Sequence, residues 1–352
     1  MSIFETAYQH QNNIERRGTR LRHIPSVIAS TALLAAVLGG CSAEQKSPQQ
    51  PDLPERSAPP TAPYSLDTNE AYFGDVAAMK NYTDDPKTLE HLDALAQVPV
   101  AQWLADSSEK TTQSLKASLQ KSQQAGTIPL FVAYNIPGRD VGGYSTGGID
   151  SAADYRDWTN MISQTIGDQP AVIVLEPDAL AHLPELDGAA ADERTTLLAD
   201  AVDTFNDNDQ TAVYLDAGNS AWLPADEMAT LLKKVADKTE YGISGISLNV
   251  SNFKSADETI SYGEKIQQAY GEGLFMMIDS SRNGAPDAVP AGTWCNPEGQ
   301  RLGTVDPDFS TDAPVEQAFI KTPGQSDGEC GIGSKPAGEF DGELLFHQLG
   351  DR

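Results

Sequence analysis

The chain has 352 residues, with 51 Asp and Glu against 24 Lys and Arg, for a net charge of −27. A surface this acidic repels nucleic acid and argues against binding it. Its plain reading is solubility outside the cell.

The first forty residues are set apart from any fold. Arg16, Arg17, Arg20 and Arg22 form a basic segment, and Ile24 to Leu38 is a short apolar run. This is the order of a secretory signal, residues 1–40, with an apolar core too short for a comfortable membrane span. Arg16-Arg17 lacks the neighbours of a twin-arginine signal. Leu38-Gly39-Gly40-Cys41 resembles a bacterial lipobox, which makes Cys41 the lipidated first residue of the mature chain. Residues 41–64 are polar and rich in Pro, Ser and Gln. They read as an extended tether that stands a domain, 65–352, off a membrane surface. The expected location is the outer face of the cell membrane, by the lipid anchor, or the medium.

Within 65–352, strand-like and helix-like runs alternate. Val98–Leu104 is a candidate strand weakened by Pro99, and Thr112–Gln124 is helix-like. Ile128–Tyr134, Ala171–Leu175, Thr211–Leu215, Ile243–Leu248 and Leu274–Ile278 are apolar runs of strand length. Ala152–Ile166, Asp192–Phe205, Ala225–Val235 and Ala256–Tyr270 carry apolar residues at helical spacing, and Val315–Lys321 ends the series. Such alternation indicates βα units and a parallel sheet. The fold class is therefore α/β, a distorted barrel of about seven parallel strands like a TIM barrel. The other arrangement of the same elements is an open doubly wound sheet. No G-x-G-x-x-G follows the first strand, so its dinucleotide-binding version has no support.

The most informative run is AVIVLEPDAL, Ala171–Leu180. A continuous apolar strand is buried on both faces, and Asp178 stands just past its C-terminal end, where parallel barrels place their chemistry. The bland reading makes Asp178 the N-cap of a helix starting at Ala179. The other strand ends shift the balance. They deliver Trp103; Tyr134, Arg139 and Asp140; Glu176; Asp216; Asn249 and Asn252; Asp279, Arg282 and Asn283; and Lys321 with Asp327. A ring of polar and aromatic residues on one barrel face is a carboxylate-rich site.

Carboxylates alone suit Mg²⁺ or Ca²⁺. Five histidines with no H-E-x-x-H or C-x-x-C spacing argue against zinc. No G-x-S-x-G occurs, and His182 reads as a helix-face residue one turn beyond Asp178, so a Ser/His/Asp triad is not supported. Several Asp beside aromatics suit glycoside hydrolysis, which needs two carboxyl groups. Cys295 and Cys330, in an exported chain, most economically form one disulfide.

The motifs YNIPGRD (134–140), VLEPDAL (174–180), DAGNSAW (216–222), SRNG (281–284), TWCNP (293–297) and KTPGQSDGEC (321–330) resemble, in order and spacing, glycoside hydrolase family 6. These are inverting β-1,4-glucanases, both endoglucanases and cellobiohydrolases. The resemblance implies a catalytic domain over 65–352 with a distorted seven-stranded barrel. Asp178 becomes the general acid and Asp140 the neighbour that keeps it protonated by charge repulsion. Asp327 becomes the candidate base, acting through water. Tyr134 presses on the distorted sugar. Trp103, Arg139, Trp222, Asn249, Trp294, Lys321, Asn219 and Gln325 fall at or beside sugar-contacting positions. No cofactor or metal is implied, the partner is a β-glucan polysaccharide, and a monomer is expected.

Four departures stand out. Val141 replaces the Cys after Asp140, so one family disulfide is lost while Cys295–Cys330 survives. Asn219 stands for His, Gln325 for Glu and Thr146 for Ser. Asn219, Gln325 and Thr146 each keep hydrogen-bonding capacity but change charge or shape. The expectation is hydrolysis of internal β-1,4 bonds in cellulose or related glucan, since the stretch Asn283–Trp294 is too short to roof a tunnel. The alternative is a surface glucan-binding protein whose turnover is weak or lost.

Overall fold

The computed structural model describes residues 62–65, 70–306, 308–310 and 313–350. The signal, Cys41 and the tether up to residue 61 lie outside the described residues. The last three tether residues do not: Ala62–Pro63 pairs antiparallel with Asp308–Phe309, and Ile128 N donates to Pro63 O at 2.8 Å. Tyr64 is buried in the core. The domain therefore begins before residue 65. A three-residue Ala-Pro-Tyr segment carries no periodicity, so its place in the fold comes from pairing alone.

Seven parallel strands form one curled sheet: β1 (Gln102–Leu104), β2 (Leu130–Ala133), β3 (Ala171–Leu175), β4 (Thr211–Asp216), β5 (Gly245–Leu248), β6 (Phe275–Asp279) and β7 (Val315–Ala318). Their order in the sheet is their order in the chain. A doubly wound sheet reverses direction at a switch point, and here there is none. The edge strands meet instead: Val100 bridges Phe319, and Ala101 N donates to Phe319 O at 2.9 Å. The barrel thus closes through a short seam, which is its distortion. Pro99 and the brevity of β1 confine the pairing there to a few bonds.

Helices α1 (Glu70–Met79), α2 (Pro86–Leu95), α3 (Ser108–Ala125), α4 (Ala152–Ile166), α5 (Gly188–Asn206), α6 (Ala225–Ala236), α7 (Ala256–Tyr270) and α8 (Gly342–Leu349) complete the described fold. Among the described residues no helix is long and apolar enough to cross a membrane. The core has two parts, divided by strand alternation. Phe131, Ile173, Leu175, Val213, Leu215 and Met276 face outward onto helix residues such as Trp158, Phe205 and Leu232. Leu130, Val132, Val172, Val174, Tyr214 and Met277 fill the barrel interior. That double burial is why AVIVL reads as an unbroken apolar run.

No α-helix starts at Ala179. Residues 177–182 are turns, a 3-10 turn follows at Leu183–Glu185, and α5 begins at Gly188 with Asp187 as its cap, accepting from Ala190 N at 3.0 Å. Asp178 is thus not a helix cap, and His182 is not on a helix face. Both belong to the strand-end turn.

Candidate active site

The interior parity of the strands continues past their ends. After Leu130 and Val132 comes Tyr134; after Val172 and Val174, Glu176; after Ala212 and Tyr214, Asp216; after Phe275 and Met277, Asp279. The three acids are 0, 1 and 0 % exposed. Each collects backbone N–H groups that the strand ends leave without partners. Glu176 accepts from Asn135 N at 3.0 Å, Ile136 N at 3.1 Å and the Tyr155 hydroxyl at 3.0 Å. Asp216 accepts from the backbone N–H of Asp178 and of Gly218 and from the Ser247 hydroxyl, each at 3.0 Å. Asp279 accepts from Ser281, Ser251, Ile320 and Lys321 N–H groups at 2.8 to 3.1 Å. The ring of strand-end acids is therefore two tiers. The lower tier ties loops together, and the upper tier, Asp140, Asp178 and Asp327, faces a cleft.

That tying holds an unusual backbone. Asp140, Val141, Glu176, Asp178, Asn249, Ser251 and Asn296 have positive φ, and all lie in loops that follow strand ends. A left-handed residue with a Cβ costs on the order of 1–2 kcal/mol and persists only where its surroundings determine it. Val141, at φ 29°, is the most strained type because its Cβ is branched.

The cleft has a volume of about 1050 Å³. Its wall includes Trp103, Tyr134, Asp140, Asp178, Asn219, Trp222, Trp294, Lys321 and Asp327. Arg139, Asn249 and Gln325 are not in that wall. Arg139 donates to Ser145 O and Tyr134 O and lies over the Tyr134 ring, 4.7 Å from its centre. Asn249 is fully buried, spending its amide on Asp279 O at 2.9 Å and Lys254 O at 3.2 Å. Gln325 bridges Phe340 and donates its N–H to Thr322 O. These three shape the loops behind the cleft, a distinction that motif spacing does not carry.

The aromatic residues are anchored. Trp103 donates its indole N–H to Ile320 O at 2.8 Å and meets Tyr134 edge-on at 5.2 Å. Trp294, 55 % exposed, contacts Tyr144, bringing the loop after β2 to the loop after β6. Cys295 and Cys330 are bonded, their Cα atoms 6.0 Å apart, joining the loops that carry Trp294 and Asp327.

Charge divides the upper tier. Burial, then Asp216, then Asp140 hold the Asp178 carboxyl well above the ordinary carboxylate range, against a smaller opposing pull from Lys321. The repulsion expected from Asp140 is present, but burial and Asp216 outrank it. Asp216 itself is pushed up to about 6 by burial, and Glu176 to about 7. Asp327 is the opposite case. Burial would raise it, but the charges of Arg282 and Lys321, with the hydrogen bonds from Arg282 and Asn296 N, together outweigh burial and hold it below the usual range. Arg282 Nη1 lies 2.7 Å from Asp327 Oδ2, Lys321 Nζ lies 3.5 Å from Oδ1, and Asn296 N donates to Oδ2 at 3.0 Å. Arg282 is buried, stacked 4.4 Å over Phe253. It stood in the strand-end ring without a role; only its contact with Asp327 gives it one. His182 and Tyr144 also line the cleft. Among the described residues no group of three or more His, Cys, Asp or Glu is arranged to hold a metal ion.

The model of glycosyl hydrolases family 6 matches residues 63–342. The chain belongs to that family. Endoglucanase 1 of Streptomyces halstedii is 36% identical over 263 residues, covering 73% of this chain and 79% of the relative. Endoglucanase A of Thermobispora bispora is 36% identical over 277 residues, 76% of this chain and 58% of the relative. Among solved structures, the endoglucanase Cel6 from Mycobacterium tuberculosis, in complex with methyl-cellobiosyl-4-deoxy-4-thio-β-D-cellobioside, superposes with a TM-score of 0.71 at 35% identity, covering 82% of this chain and 97% of that one. As a family member the chain is a glycoside hydrolase, cellulase-like, and the curled seven-stranded barrel is the family's fold.

Proposed function

We propose that this enzyme hydrolyses internal β-1,4-glucosidic bonds of cellulose or a related β-glucan with inversion at the anomeric carbon. The observation that carries the proposal is one cleft holding two carboxyl groups with opposed proton affinities: Asp178 pushed up, Asp327 held down. Environments that separate two carboxyls in this way assign the acid and the base. Asp178 then protonates the glycosidic oxygen as the bond breaks. Asp327, kept ionised by Arg282 and Lys321, draws the proton from a water on the far face of the sugar, directly or through a second water. Asp140, on the glycine-rich loop of Gly142, Gly143, Gly147 and Gly148, adds negative charge that discourages Asp178 from ionising early. Tyr134 packs at the bond being cut, and Trp103, Trp222 and Trp294 offer ring faces to pyranoses. The endoglucanase relatives at 36% identity support internal cutting.

The Mycobacterium tuberculosis relative is solved with a thio-linked cello-oligosaccharide, which supports a cello-oligosaccharide as ligand here. Export as a lipoprotein through Cys41, with residues 41–61 as the tether, completes the reading. The test is NMR of fresh products from a soluble β-glucan. Inversion predicts α-anomers at the newly formed reducing ends; β-anomers as the first product would overturn it.

A further inference from the structure

His182 follows Asp178 by one turn, its backbone N donating to Asp178 O at 3.0 Å. Its side chain lines the cleft and abuts Trp222, ring centres 4.7 Å apart and planes at 84°. Nδ1 lies 2.9 Å from Glu185 Oε1, and Glu185 is half exposed and not in the cleft wall. A carboxylate only accepts, so this bond puts the ring proton on Nδ1. In the neutral ring Nε2, one carbon away from Nδ1, is then left as an acceptor.

The neighbouring loop makes that acceptor useful. Asn219, where the resemblance expects a histidine, spends its side-chain oxygen on Ala221 N at 3.0 Å. Its carbonyl accepts from Trp222 N at 3.1 Å. Asn219 therefore folds the turn that presents Trp222. The two loops are packed together: a Cβ on Gly218 would stand 3.4 Å from the Ala181 side chain and 3.7 Å from Trp222.

We infer that His182 is a specificity-determining glucan contact, accepting a sugar hydroxyl through Nε2 while the sugar ring rests against Trp222. Glu185 acts as its positioning residue. The inference rests on the glucanase reading above. It moves a hydrogen-bonding imidazole from one loop of the cleft to the other, so that the loss at Asn219 is offset from the acid's own turn.

The test uses the full chain as Asp178→Asn, so that ligand survives, with cellotetraose binding read by calorimetry. Adding His182→Ala is expected to weaken binding about five- to tenfold, the size of one lost hydrogen bond to a neutral partner. His182→Gln, whose amide oxygen can accept, should recover most of that loss. Glu185→Ala should weaken binding about two- to threefold by freeing the ring to turn. Melting temperatures of the same variants separate lost contact from lost fold. Unchanged affinity in His182→Ala, with weakened binding in a Trp222→Ala control, overturns the inference and leaves the glucanase reading standing. No binding of cellotetraose by the parent overturns both.

Discussion

The two sides of the cleft are built from the same residue types to opposite ends. At the ends of β3 and β4, Asp178 and Asp216 meet with Asp140 nearby, and the counter-charge reaching Asp178 is the weaker pull of Lys321. At the ends of β6 and β7, Asp327 is gripped by Arg282 and Lys321. Burial acts on both acids in the same direction, toward the neutral form. What differs is the arithmetic of neighbours: anions on one side, two cations on the other. A carboxyl's role in this cleft is thus decided less by its depth than by which strand ends supply the charges around it.

The strongest way to break this contrast is to remove the proton carrier. Asp178→Asn is expected to lower hydrolysis of a soluble β-glucan by about 10²- to 10⁴-fold, the usual worth of a general acid. Cello-oligosaccharide binding should be largely kept. Activity within tenfold of the parent would unseat Asp178.

Removing a cation attacks the other side. Arg282→Leu leaves Asp327 and Ser251 without their buried partner, an arrangement that typically costs about 3–5 kcal/mol. Denaturant unfolding reads that loss directly. Arg282→Lys, which keeps the charge, should recover part of the stability. A Leu variant as stable as the parent would show that the pair does not hold Asp327.

The lower tier sharpens the comparison through pH. Glu176 rises from 4.5 to about 7 and Asp216 from 3.8 to about 6 on folding. The folded state therefore binds more protons than the unfolded chain across those windows, and stability falls as pH rises from about 4 to about 7. Asp327 has the opposite sign: its contribution is present above the ordinary Asp range and is lost as pH falls through its lowered value. Glu176→Gln should flatten the fall between about 4.5 and about 7, by an amount on the order of 3 kcal/mol over the window. An unchanged slope in thermal melts across that range would contradict the burial of an ionisable Glu176.

The smallest effect concerns the rim. Trp294→Ala removes an exposed ring and should weaken glucan binding about three- to tenfold, with kcat changed less. Equal affinities, by calorimetry, would exclude Trp294 as a sugar platform.

Much of this was legible in the sequence. The runs Ala152–Ile166, Ala171–Leu175 and Ala256–Tyr270 form elements with those same bounds, because the two helices have a clear period, the strand is an unbroken apolar run, and each has a capping or breaking residue at its edge. Others were less legible. Val98–Leu104 shrinks to Gln102–Leu104 because Pro99 precedes a seam with few partners. The helices α1, α2 and α8 lie outside the alternating series, so nothing in the βα rhythm announced them. Asp178, Asp140 and Asp327 share the cleft wall, as their strand-end positions implied. Sequence spacing cannot tell a wall residue from a buried tie, since both sit at the same strand ends. Arg139, Asn249 and Gln325 are the instance: the resemblance sets them at or beside sugar-contacting positions, and in the structure they lie outside the cleft wall. The same limit hid His182, which a helical reading of the turn after Asp178 turned away from the site. Left-handed backbone at Glu176 and Asp178 breaks that helix.

The central claim is that Asp178 holds a proton under conditions in which Asp327 does not. Carboxyl-carbon NMR titration of the protein labelled at Asp, with Asp178→Asn and Asp327→Asn for assignment, tests it most directly. The resonance lost in Asp178→Asn should titrate well above the ordinary Asp range, and the one lost in Asp327→Asn below it. The reverse order, or two ordinary titrations, would contradict the account.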